Sequence, residues 1–355
     1  MNYITSIKTA IFVFPLIAFL FTIPFILHQY HKYGSINKLR VLIIYSFILY
    51  LITIYFLVIL PLPSKDEVIR LKTPKYSLIP FSFIKDIIQD SPLIISSPKT
   101  YIETFNTPSF YIAIFNIFMT IPFGIYLRYY FKFSFKKTVL FSFLLSLFFE
   151  ITQLTGLYFI YPRPYRLFDI DDLILNTSGG ILGFFLAKIT SLFLPTRDEI
   201  DEQSIIAGKN VSGLRRVTSF FLDSLLYLII ALTLNIFIKF KYLPSIVYLI
   251  YFIIIPCTWN NQTLGSAFLN IKLSYKKHPI ISQITRAIFY YIYYIALPYT
   301  FIYIKPTILG LSILSISYYI NLIIILKSRT IYYDKLFKVT YESTIDNKND
   351  SPSAN

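Results

Sequence analysis

Glu150 and Gln153 stand three positions apart in "EITQ", which on a helix puts both on one face. Shortly after comes "RPYRLFDIDDLILN", holding Arg163, Arg166, Asp169, Asp171, Asp172 and Asn176. Carboxylates at this density can do acid–base work or hold a cation or an amine, and arginines match the geometry of phosphate. A plainer account covers part of the set. Acidic residues in a first helical turn accept its free N–H groups and suit the helix dipole. That suffices for Asp171 or Asp172 alone, with Arg163 and Arg166 as loop charges pairing with them. It does not suffice for Glu150, which lies inside an apolar run; its structural alternative is an ion pair with an arginine.

A second group is more dispersed: Arg216, Asp223, Arg286 and Asp334. Asp223 follows Arg216 by seven residues, two helical turns on and on the same face. Pairing with Arg216 or Arg286 explains it best, and a structural pair and a functional one stand equal. No nucleophile elbow, zinc-binding pattern or phosphate-cradling loop accompanies either group. Cys257 is alone, so no intrachain disulfide forms. His28, His31 and His278 are scattered. No metal, cofactor or catalytic residue is predicted, and a non-enzymatic role ranks first.

The elements that must position these groups are membrane helices. Hydrophobic residues make up 55% of the 355 and charged residues 14%, against about 25% in soluble domains. Mean hydropathy is +0.62. The apolar residues come in blocks near twenty long, enough to cross a ~30 Å hydrocarbon core, and the short alternating segments of a membrane β-barrel are absent. The net charge of +15 does not point to nucleic acid. Its basic residues fall in short loops between apolar blocks, where they set topology.

The fold predicted is all-α: a polytopic membrane bundle of about nine transmembrane helices, five and then four. The spans fall at 10–27, 41–60, 109–127, 138–157, 173–194, 217–238, 243–258, 286–304 and 307–326. The first reads as a retained helix, without a small-residue cleavage site. Basic residues cluster in 28–40, 128–137, 195–216, 259–285 (Lys272, Lys276, Lys277) and the tail (Lys327, Arg329, Lys335, Lys338), all on one side if nine helices alternate. The positive-inside rule makes that side the cytoplasm, so the N-terminus is outside and the C-terminus inside. Asn116, Glu150, Gln153, Asp169, Asp172 and Asn176 then share the outer third of the membrane, beside an outer loop, 61–108, whose "YSLIPFSFI" is too short to span. Gly179 and Gly183 form a G-x-x-x-G, a weak signal for close helix packing. The domain boundaries predicted are a first module at 1–195, a cytoplasmic linker at 196–210, a second module at 211–340 and a disordered cytoplasmic tail at 341–355.

"NIFMTIPFGIYL", "EITQ" and "R…FDIDDLILNTSGGILG" together resemble the VanZ-like family of bacterial membrane proteins over about 40–195. By matching position, the resemblance carries that family's polar set onto Asn116, Pro122, Gly124, Glu150, Gln153, Arg166, Asp169, Asp172 and Asn176. It implies a place in the bacterial plasma membrane and a link to resistance against teicoplanin, a lipoglycopeptide acting on wall precursors outside the membrane. "RRVTSFFLD", "QTLGSAFLNIKL", "RAIFYYI" and "YYDKLFKVTY" resemble the RDD family over about 211–340, carrying its arginine and two aspartates onto Arg216, Asp223 and Asp334. Here Phe337 and Lys338 replace the small residue and glycine usual after "DKL". That resemblance implies a transport role.

Three functions follow, in order. The first is an envelope protein whose outer-leaflet polar site meets a lipid head group or lipid-linked wall precursor. The second is an ion or small-solute transporter using the Arg/Asp cluster, and the third an intramembrane hydrolase or transferase built on Glu150 with Asp169 or Asp172. The partners predicted are membrane lipids; oligomeric state stays open.

Overall fold

In a chain this apolar the backbone must satisfy its own hydrogen bonds, and helices do so within one segment. A computed structural model describes residues 3–94, 96–276, 278–328 and 332–345. Lys277, Arg329 and 346–355 lie outside the described residues. The fold is an all-α polytopic membrane bundle, and eight described helices are long and apolar enough to cross a membrane.

The first five such helices are α1 (Tyr3–Tyr33), α2 (Lys38–Ile59), α6 (Pro108–Tyr129), α7 (Phe135–Leu154) and α8 (Ile170–Phe193). Between α2 and α6 lie α3 (Lys65–Arg70), strand β1 (Tyr76–Ser77), α4 (Ser82–Asp90) and α5 (Lys99–Phe105). Strand β2 (Phe168–Asp169) pairs in parallel with β1, joining "YS" to "FD". Helix α9 (Arg197–Gly208) follows, then α10 (Gly213–Phe237), α11 (Leu243–Thr258) and α12 (Leu264–Phe268). Strand β3 (Ile271–Tyr275), α13 (Pro279–Ile304), α14 (Ile308–Ser328), α15 (Tyr332–Leu336) and strand β4 (Val339–Ser343) complete the order.

The chain divides into two units, residues 1–20 with 39–200 and residues 21–38 with 201–355. The segment predicted as a linker, 196–210, is largely the helix α9, started by Thr196. The Thr196 hydroxyl accepts from Glu199 N while Glu199 returns a carboxylate to Thr196 N. The unit boundary falls inside it, after Ile200. The predicted first module differs from unit 1 in two respects: residues 196–200 belong to unit 1, and residues 21–38 belong with the second unit. There Tyr30 packs with Val211, Leu269 and Ile271.

The seventh predicted span, α11, has 16 residues, about 24 Å of helix, and is shorter than the other eight. It runs back along α10, with Val247 against Ala231 and, one turn on, the Tyr251 hydroxyl on Asp223. It also contains a π-helical stretch at Ile250–Ile254 just before Pro256, whose missing N–H prevents a regular α-turn. The tail predicted as disordered from 341 is ordered to 345. Strand β4 pairs antiparallel with β3, Tyr341 opposite Leu273, and Ile345 is buried.

In unit 1 the packing that positions the polar groups is glycine-dependent. A Cβ on Gly179 would meet the Ile117 carbonyl oxygen, one on Gly183 the Ile121 carbonyl oxygen, and one on Gly124 the Gly180 carbonyl oxygen. Helices α6 and α8 therefore touch backbone to backbone, which larger residues would prevent. Ile54, Met119 and Phe149 fill the adjoining core.

Candidate functional site

Backbone contact between α6 and α8 brings their polar side chains within reach. Asn116 Nδ2 donates to Asp172 Oδ1, and the Thr120 hydroxyl donates to the Asn176 carbonyl at 2.7 Å. From α7, the Ser146 hydroxyl accepts from Asn176 Nδ2 at 3.0 Å and donates to the Asp172 carbonyl at 3.2 Å. One turn on, Glu150, 1% exposed, accepts from Asp169 N at 2.9 Å. Asp169 caps its own helix by accepting from Asp171 N at 3.0 Å. Burial pushes the Asp169 carboxyl above its ordinary range.

Asp171 caps a different helix. Its carboxylate accepts from Phe81 N, from the Ser82 hydroxyl at 2.7 Å and from Phe83 N at 2.9 Å. These groups open α4, so Asp171 meets the donors and the dipole of a helix from the 61–108 loop. "YSLIPFSFI" is thus pinned twice, by strand pairing and by this carboxylate.

Both arginines reach back to backbone carbonyls. Arg163 donates to the carbonyls of Leu71 and Thr73, bracing the loop. Arg166 donates to the carbonyls of Val58 at 2.6 Å and Leu60 at 2.9 Å at the end of α2, and Gln153 Nε2 reaches Val58 as well, at 3.4 Å. The last carbonyls of a helix lack internal partners, and a guanidinium fork supplies them.

A cavity of about 240 Å³ opens in front of this network. Of the predicted residues, Asp169, Asp171 and Asp172 line it; Asn116, Glu150, Gln153 and Asn176 stand behind or beside it. Ser82, Asp86 and Ser109 line it too and were not singled out in the sequence. For Ser82 and Asp86 the signal there was only that the loop is too short to span yet partly apolar, and Ser109 carried none. Among the described residues no group of three His, Cys, Asp or Glu side chains is disposed to hold a metal ion.

Unit 2 holds the second predicted group. Arg216 Nη2 and Asp334 form a buried ion pair, and Arg286 Nε stands 3.8 Å from the other Asp334 oxygen. Tyr341 adds its hydroxyl to Asp334 at 3.2 Å and its ring beneath the Arg216 guanidinium at 3.8 Å. Asp223 is held otherwise than expected: it accepts from the Tyr251 hydroxyl at 2.7 Å, the Thr263 hydroxyl at 2.7 Å, Gly265 N at 2.8 Å and the Ser219 hydroxyl at 3.4 Å. Four neutral donors surround the carboxylate, which ties the start of α12 to α10. Arg215, read from sequence as a topology signal, is fully buried. It donates to the carbonyls of Leu269 (2.8 Å), Gly34 (3.1 Å), Gly208 (2.8 Å) and Asn270 and to the Ser343 hydroxyl (3.2 Å).

The fold and these two clusters define a polytopic helical membrane protein with polar groups gathered toward the helix ends. Residues 47–193 match the model of the VanZ/LLP1 family, a stretch that lies within unit 1. No curated protein and no solved structure matches the chain.

Proposed function

We propose that the chain is a cell-envelope protein of the bacterial plasma membrane whose unit 1 pocket takes a positively charged group, an amine on a lipid head group or lipid-linked wall precursor, at the extracytoplasmic surface. The observation that carries this reading is the sorting of charge around the pocket. Asp86, Asp169, Asp171 and Asp172 line it and, among the described residues, no arginine or lysine does, while Arg163 and Arg166 each donate to backbone carbonyls of the 58–73 stretch. A carboxylate-lined wall suits an ammonium group better than a phosphate. The outward orientation of this face is supported by the distribution of basic residues among the loops. The family match supports a link to lipoglycopeptide susceptibility.

The test is teicoplanin susceptibility of a host carrying the intact chain, a deletion, or Asp172→Asn at equal protein level. Asp172→Asn is expected to behave as the deletion. If it stays at the level of the intact chain while the deletion differs, the site assignment fails.

A second reading concerns residues 211–340, as an RDD-type module moving an ion or small solute. It is favoured by Arg216 and Arg286, both paired with Asp334, lining one cavity together with Asp223. The saturation of Asp223 by neutral donors favours an anchor there over a mobile proton carrier. Proteoliposomes without pH-coupled cation flux would remove this reading.

A further inference from the structure

The cavity in unit 2 has about 490 Å³, within the about 300–1,000 Å³ of pockets that enclose small ligands. Its two ends differ. Arg216, Arg286 and Tyr341 lie at one end, close to where α10 and α13 begin and α14 finishes. Phe220, Tyr294 and Tyr318 lie deeper along the same helices. From Arg286 to Tyr294 is eight residues, about 12 Å of helix. The cavity thus runs from a charged rim toward the middle of the spans, the direction in which a lipid lies.

The formal charges of Arg216, Arg286, Asp223 and Asp334 balance, but the hydrogen-bond donors of Arg286 are not all met. Two arginines share the single carboxylate of Asp334, and Asp223 is committed to its four neutral donors. Arg286 is buried, with Nη2 donating to the hydroxyls of Tyr290 at 2.7 Å and Tyr341 at 2.9 Å, while Nε has no hydrogen-bond partner. A buried guanidinium with an unused donor is costly unless an acceptor meets it. We infer that this cavity binds one anionic single-chain amphiphile, its carboxylate or phosphate against Arg286 and its chain along Phe220, Tyr294 and Tyr318. This assignment stands apart from the unit 1 pocket and does not rest on a transport role for residues 211–340.

The full-length chain in phosphatidylcholine nanodiscs is titrated with oleate, oleoyl lysophosphatidate, oleyl alcohol and inorganic phosphate, bound probe being counted by native mass spectrometry. At least one of the two anionic amphiphiles is expected to saturate at one per chain, and the tighter identifies the head group. Oleyl alcohol is expected to bind about tenfold more weakly, the worth of one charge-assisted hydrogen bond. Arg286→Gln should erase that difference. Leu322→Trp, which fills the cavity away from the charges, should weaken oleate and oleyl alcohol alike while the melting midpoint stays that of the parent, so a folding defect is told apart from lost binding. Equal binding of oleate and oleyl alcohol, an unchanged preference in Arg286→Gln, unchanged binding in Leu322→Trp, or inorganic phosphate competing as well as the amphiphiles would each overturn the assignment.

Discussion

Asp171, in the first turn of α8, accepts the backbone N–H of Phe83, 88 positions earlier in the chain, at 2.9 Å and so caps the helix that Phe83 helps to open. The bond joins the 61–108 loop to a membrane helix and closes one side of the acidic pocket. Losing an N-cap costs about 0.5–2 kcal/mol. Asp171→Ala is therefore expected to loosen α4 locally without unfolding unit 1. Amide exchange over 81–90 should rise while exchange in α6 and α8 stays slow; uniform exchange across all three would contradict a local cap.

The glycine contact between α6 and α8 predicts a graded response. Gly179→Ala sets a Cβ against the Ile117 backbone carbonyl and is expected to destabilise unit 1 by about 1–3 kcal/mol. Gly180→Ala meets only the side chain of Ser142, whose Cα lies 3.9 Å off. Ser142→Gly should rescue Gly180→Ala and leave Gly179→Ala unrescued. Thermal unfolding of the two double variants reads the coupling.

Asp169 predicts a pH dependence. Its carboxyl is raised above the ordinary 3.8, first by burial. Folding then favours the protonated form, so its stabilising share is complete below pH 3.8 and is lost as pH rises through the raised value. Asp169→Asn keeps a capping side chain and removes the titration. As pH rises above 3.8, the melting midpoint of the parent should fall more steeply than that of Asp169→Asn; parallel slopes would exclude Asp169 as the source.

Arg215 predicts the stability of unit 2. Arg215→Met leaves several buried carbonyls without a charged donor and is expected to cost about 3 kcal/mol or more. Arg215→Lys should recover little, because an ammonium cannot reproduce the fork that reaches Leu269, Gly34, Gly208 and Asn270 at once. Unfolding midpoints of the three proteins decide this, and full recovery by lysine would reduce Arg215 to a topology signal.

What sequence made legible was depth and periodicity. Helical rise alone set Asn116, Glu150, Asp172 and Asn176 at one level, and the glycines of α8 carried a packing signal. What it hid were bonds to backbone carbonyls. Every residue offers the same carbonyl, so nothing in the sequence marks Val58 or Leu71 as the acceptors of Arg166 and Arg163. Asp171 looked like a cap and is one, but of a helix that sequence distance concealed. Arg215 and Arg216 are neighbours and looked alike. Only the fold separates the one that knots loops and strands from the one that faces a cavity.

The sharing of Asp334 by Arg216 and Arg286 also bears on how unit 2 is made. Helix α13 carries Gln283 and Arg286 one turn apart, and Gln283 Nε2 donates to the Phe252 carbonyl of α11 at 3.0 Å. Lodged in lipid by itself, α13 would expose both groups to hydrocarbon. During synthesis α11 is already present, but the carboxylate comes after the final span. Arg286 therefore precedes its counter-ion in the chain, and a chain stopped after α14 would carry two arginines without their common carboxylate.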